Sequence, residues 1–133
     1  MEISRHRFYA FDLDERRSLL SFAWTEQTAS MTVEDYRTAI GDYARLVLKH
    51  RVRRALVDLR HFRFKPDSSA LGSWWEDEIV PLYSRAGLER FAFVLPAEEA
   101  APPDDAPAEP QPGAPFVTRY FGSLQSAISW LST

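Results

Sequence analysis

At 133 residues, with 45% hydrophobic and 26% charged positions, the chain has the size and composition of one globular domain. It has no cysteine, which excludes disulfides, thiol catalysis and cysteine-ligated metals. The net charge of −3 argues against a dedicated nucleic-acid binder, and no apolar run nears the roughly 20 residues that span a bilayer, so no membrane span is expected. The first residues, Met1 to Arg7, carry no apolar h-region, so no signal peptide is expected and the chain reads as cytoplasmic. Charge is unevenly spread: nine of the sixteen Lys and Arg residues lie between Arg37 and Lys65, and five acidic residues lie between Glu98 and Glu109.

Residues 8–14 read as a first strand and 18–24 as a second, joined by the polar Asp14-Glu-Arg-Arg17 at hairpin length. In the second strand Leu20, Phe22 and Trp24 share one face. Thr32 is a predicted N-cap, with Glu34 and Asp35 in the first turn where the helix dipole favours negative charge. Val33, Tyr36, Ile40, Tyr43, Ala44 and Val47 then recur at helical spacing, and cations gather from Lys49 onward, predicting a helix over 33–51.

Residues 55–59 form a short apolar run of the kind that makes a buried strand. A helix is expected from about Ser68, with Leu71, Trp74, Trp75, Ile79 and Leu82 as its stripe. Pro81 lies inside that pattern, removes an amide donor, and predicts a kink or split near Ile79; Gly87 is the expected stop. Residues 90–95 read as another strand. Residues 97–115, rich in Pro, Ala, Asp and Glu, have little to bury and read as a mobile loop or extended segment within the domain. Residues 116–121 predict a last strand, and Ser123 caps a C-terminal helix bearing Leu124, Ala127, Ile128 and Leu131. The expected fold is a single α/β domain over 1–133, in the order β-β-α-β-α-β-β-α, with a mixed, mainly parallel five-stranded sheet and an N-terminal antiparallel hairpin.

The segment Val57-Asp58-Leu59, then Phe62 and Phe64, then Asp67-Ser68-Ser69-Ala70-Leu71-Gly72, resembles the STAS-type (SpoIIAA-like) fold of anti-sigma-factor antagonists. Trp74, Trp75, Glu78 and Pro81, with the closing run from Tyr120 to Leu131, resemble a bacterial branch of small stand-alone proteins with that fold. The resemblance implies a protein-interaction or regulatory module, and places a candidate phosphorylation site at Ser68.

Among the candidate residues, Asp58 ends an apolar strand, where ligands and partners are met in open α/β sheets; its carboxylate can hold a cation or a ligand hydroxyl, or accept backbone amides of the following loop, and the structural role is preferred. Asp67, Ser68 and Ser69 open the next helix, as a phosphate switch or as plain capping. Phe62, Phe64, Trp74 and Trp75 gather around that turn; neighbouring helical positions point about 100° apart, so one Trp can pack on the sheet while the other lines a pocket or interface. Arg51 to Arg54, Arg60, Arg63 and Lys65 form a basic run, read as a solvated surface. His61 has no orienting partner or nucleophile in the sequence, and there is no HExxH spacing, no GxSxG elbow and no Gly-rich phosphate loop, so an enzyme, a metal site and a cofactor are not expected. The leading expectation is therefore a non-enzymatic module that binds a protein partner through Asp58, Phe62, Phe64, Asp67, Ser68, Ser69, Trp74 and Trp75. The alternative is a small-molecule or lipid-binding domain with an aromatic pocket near the same turn. A homodimer through Tyr9, Phe11 and Tyr120, expected to face away from the helices, is a third expectation.

Overall fold

A computed structural model describes residues 1–65, 71–99, 101–103, 107–110 and 112–133. Among the described residues seven strands form one mixed sheet: β1 (Glu2–Arg5), β2 (Tyr9–Asp14), β3 (Leu19–Trp24), β4 (Arg54–Asp58), β5 (Arg90–Val94), β6 (Glu109–Pro110) and β7 (Val117–Phe121). Their order is β1-β2-β3-β4-β5-β7-β6. The central pairs, β3 with β4, β4 with β5 and β5 with β7, are parallel; the pairs toward the two edges are antiparallel. Among the described residues three α-helices accompany the sheet: α1 (Val33–His50), α2 (Val80–Ala86) and α3 (Leu124–Leu131).

The two strands beyond the five expected are β1 and β6. Glu2 to Arg5 has no alternating apolar pattern; it is a strand because β2 offers an unpaired edge, with Ser4 opposite Phe11 and Arg5 opposite Ala10. The pair Glu109–Pro110, inside the segment expected to be a loop, docks on β7 with Glu109 opposite Thr118. A proline is tolerated there because it lies on the sheet edge, where its missing amide has no ladder partner to lose.

Helix α1 begins and ends as its sequence dictates. Thr32 accepts from the amide of Asp35, while the Asp35 carboxylate accepts from the amide of Thr32, a reciprocal capping box. Arg51 closes the helix in a left-handed conformation. The helix expected from Ser68 is not continuous. Its opening residues, including Asp67, Ser68 and Ser69, lie outside the described residues, and Gly72 has φ +52°, which interrupts a helical backbone. Trp75–Ile79 then form a π-helical turn, in which the Val80 amide bonds back to the Trp75 carbonyl. This is the break that Pro81 predicts: with no amide of its own and a ring that crowds the preceding turn, it disfavours regular α geometry there. Gly87 ends α2 at φ +86°, a conformation open to glycine at little cost.

The two sheet faces are unequal. One face carries Phe11, Phe22, Val57 and Phe91 and is covered by α1 and α2, giving the larger core. The other carries Leu19, Leu56, Ala92, Val94 and Phe121 and, among the described helices, is covered by α3. Tyr9 and Phe11 belong to the larger core, at 7% and 1% exposure, so they do not form the outward aromatic surface expected for a dimer. The alternation of β2 turns them toward the helices, opposite Trp24 and Phe22 of β3. Tyr120 alone of that set stands at the surface, 38% exposed. Among the described residues no helix is long and apolar enough to cross a membrane.

Candidate functional site

The larger core does not close completely. Between the sheet and α1 lies an open cavity of about 920 Å³. The sheet supplies one wall with Phe22, Trp24, Val57, Phe93 and Tyr120. The helical side supplies Tyr36, Ile40 and Tyr43 of α1, Trp75 of the π-turn, and Tyr83 of α2. The cavity lies toward the carboxyl ends of the parallel strands, where Trp24 ends β3 and Leu59 and Pro96 follow β4 and β5.

The loop after β4 is shaped by backbone bonds that the sequence foreshadows only in part. Asp58 is 8% exposed and holds the Arg60 guanidinium bidentately, at 2.7 and 2.9 Å, while one carboxylate oxygen also accepts from the Arg60 amide at 3.1 Å. That hydrogen bonding raises the arginine's pKa above its usual value. Asp58 is therefore committed to turning the chain, and it is not among the residues that line the cavity. The Phe62 amide donates to the Leu59 carbonyl. The Arg63 amide donates to the hydroxyl of Thr28 at 2.7 Å; Thr28 is wholly buried in the short 3-10 turn Glu26–Ser30 and donates in turn to the Thr25 carbonyl. So pinned, Phe62 stands 4.9 Å from Trp24, and Phe64 stands 5.5 Å from Tyr36, ring centre to ring centre.

Of the sequence-predicted residues, Phe62, Phe64 and Trp75 come together on the cavity. Trp74 does not; it lies 5.7 Å beneath the Arg37 guanidinium, so the two adjacent tryptophans divide as their angular separation requires. Asp67, Ser68 and Ser69 lie outside the described residues. His61 is exposed, 3.6 Å from Glu26. The basic run is dispersed: Arg51 bonds the Arg85 carbonyl, Arg54 the Arg17 carbonyl, and Arg53 lies 3.9 Å from Glu89.

Sequence reasoning missed Thr28 and the tyrosines. A buried threonine in a polar linker carries no pattern that betrays it, and Tyr36 and Tyr43 read as core stripe. Three phenols converge on the inner wall. Tyr43 is fully buried and donates to the Leu20 carbonyl. Tyr83 is 1% exposed, and its hydroxyl makes no hydrogen bond among the described residues. Burial pushes its pKa well above that of an ordinary phenol, with smaller contributions from the neighbouring Tyr43 and Tyr36. Burial likewise raises Tyr43 and Tyr36. At the mouth stand Lys65, Glu98, Glu99 and Glu109 with Pro110 and Pro112. Tyr120 is raised by burial first and then by the Glu109 carboxylate.

This arrangement can hold a flat organic molecule against ring faces. No family model matches the chain, and neither the curated proteins nor the solved structures contain a match.

Proposed function

We propose that this chain is a small-molecule-binding domain of STAS-like topology whose ligand occupies the aromatic cavity, and that it does no catalysis. The observation that carries the reading is the cavity itself. Interiors normally close-pack with few voids larger than a water, whereas ligand sites run to about 300–1,000 Å³ and are mostly apolar. A space of about 920 Å³ in a chain of 133 residues belongs with the second group. The position at the strand ends supports the same reading, since that is where open α/β sheets receive ligands. The protein-interaction reading asks Phe62, Phe64 and Trp75 to present a contact surface. All three are partly buried, packed against the core and turned to the cavity, which favours a ligand enclosed by the domain over a partner resting on it.

The test is titration with the neutral dye N-phenyl-1-naphthylamine, whose emission rises in apolar surroundings. One dye should bind per chain with saturation, and Leu59→Trp, which puts an indole into the space beside a partly exposed wall residue, should abolish it. Enhancement that never saturates, or that is equal in Leu59→Trp, would overturn the reading.

A further inference from the structure

The walls and the rim narrow the ligand's chemistry. Eleven of the 22 described residues lining the cavity are aromatic, against three branched aliphatic ones, Ile40, Val57 and Leu59, and three prolines. An alkyl chain is served equally well by aliphatic walls. Ring faces add most for a flat π-system, through offset and edge contacts, and for a cation, through their negative quadrupole. The rings also form a continuous path from mouth to interior. Tyr120 stacks on Phe93 at 5.3 Å and 15°, and Phe93 stacks on Phe91 at 4.7 Å and 14°.

The rim is negative. Glu98, Glu99 and Glu109 line it against one ammonium, that of Lys65. Glu98 is partly offset by Arg63 at 3.8 Å. Glu99 and Glu109 have no ion pair among the described residues. Residues 66–70, 100, 104–106 and 111 are Pro, Asp, Ser, Ala and Gln only, so they bring no cation to neutralise either one. Glu109 lies close enough to Tyr120 to disfavour the phenolate, so the unpaired charge sits at the outer end of the ring path. At the inner end the hydroxyl of Tyr83, 1% exposed, lacks a partner among the described residues.

We infer that the ligand is a flat heteroaromatic cation, its ring among the aromatic walls, its positive charge at the rim with Glu99 and Glu109, and a ring heteroatom in reach of Tyr83. The inference rests on the cavity being the binding site. An anionic amphiphile of the same size meets a negative rim and gains nothing from the ring faces.

Three probes on one skeleton test it in low salt at pH 7: 9-aminoacridine, a cation; acridine, neutral; and acridine-9-carboxylate, an anion. The cation should bind at least about tenfold more tightly than the anion, the size of preference that cation–π contacts and two exposed carboxylates supply in low salt. In Glu99→Gln/Glu109→Gln that preference should shrink to about threefold or less, while acridine affinity holds. Equal binding of all three probes, an anion that binds best, or a cation preference unchanged in the double variant would overturn the inference and leave the cavity reading in place. Binding of none of the three would overturn both.

Discussion

The hydroxyls of Tyr43 and Tyr83 make opposite predictions for one chemical change. Both side chains are essentially fully buried, at 0% and 1% exposure, and both line the cavity. In Tyr43→Phe the Leu20 carbonyl loses its donor, and leaving a buried partner unsatisfied costs about 1–2 kcal/mol. In Tyr83→Phe no hydrogen bond among the described residues is lost. The ring keeps its edge contacts with Phe91 at 5.3 Å, Trp75 at 5.8 Å and Phe116 at 5.9 Å. What disappears is the hydroxyl of a 1% exposed side chain, without a protein partner among the described residues, whose burial costs roughly 1–3 kcal/mol. Because the neighbouring cavity can admit water, the low end applies, and Tyr83→Phe should stabilise the free protein by about 1 kcal/mol. For a chain of this length that raises Tm by about 3–5 °C. Urea unfolding at constant m-value should therefore place the two variants on opposite sides of the parent, about 2–3 kcal/mol apart. If Tyr83→Phe loses as much stability as Tyr43→Phe, the Tyr83 hydroxyl is satisfied within the folded chain, and the argument that it awaits a ligand fails.

Two further outcomes follow from the same geometry. Thr28→Val keeps the shape but removes the oxygen that accepts from the Arg63 amide, so urea unfolding should show a loss of about 1–3 kcal/mol, and dye affinity should fall as Phe62 and Phe64 lose their anchor. Burial holds the phenols of Tyr36, Tyr43 and Tyr83 above the ordinary value of 10.0, so the folded chain keeps protons that the unfolded chain releases above that pH. Their contribution is full below about pH 10 and declines as pH rises beyond it, by about 1.4 kcal/mol per pH unit for each phenol still protonated; denaturant midpoints measured from pH 8 to 11.5 should stay level and then drop, less steeply in Tyr43→Phe/Tyr83→Phe.

Much of the frame is legible in local pattern. Thr32 with Asp35, the stripe through Tyr43 and Val47, and the cations from Lys49 onward delimit α1 to within one residue, because caps and dipole preferences act over a single turn. Pro81 signals a break in the chain's second helical stretch, though not that the break would take the form of a π-turn. The edge strands escape notice because Glu2 to Arg5 and Glu109–Pro110 pair through backbone atoms offered by a neighbour, and their side chains record nothing of it. Tyr9 and Phe11 read as an outer face because alternation tells which residues share a side, not which side the helices take. The site was half visible. Phe62, Phe64 and Trp75 announce themselves around a strand-end turn, whereas Tyr36 and Tyr43 look like any helical core stripe, and the stripe read for the next helix takes in Leu82 where the structure buries Tyr83. Periodicity identifies a buried face but does not reveal whether the space against it is filled.

Native mass spectrometry of the full chain, purified gently from the cells that make it, tests the central claim most directly. The expected result is one organic molecule per chain, released on denaturation as a flat near-ultraviolet chromophore and missing from Leu59→Trp expressed in the same cells. A bare chain mass in both proteins, with no acridine-series probe retained at saturating concentration, would contradict it.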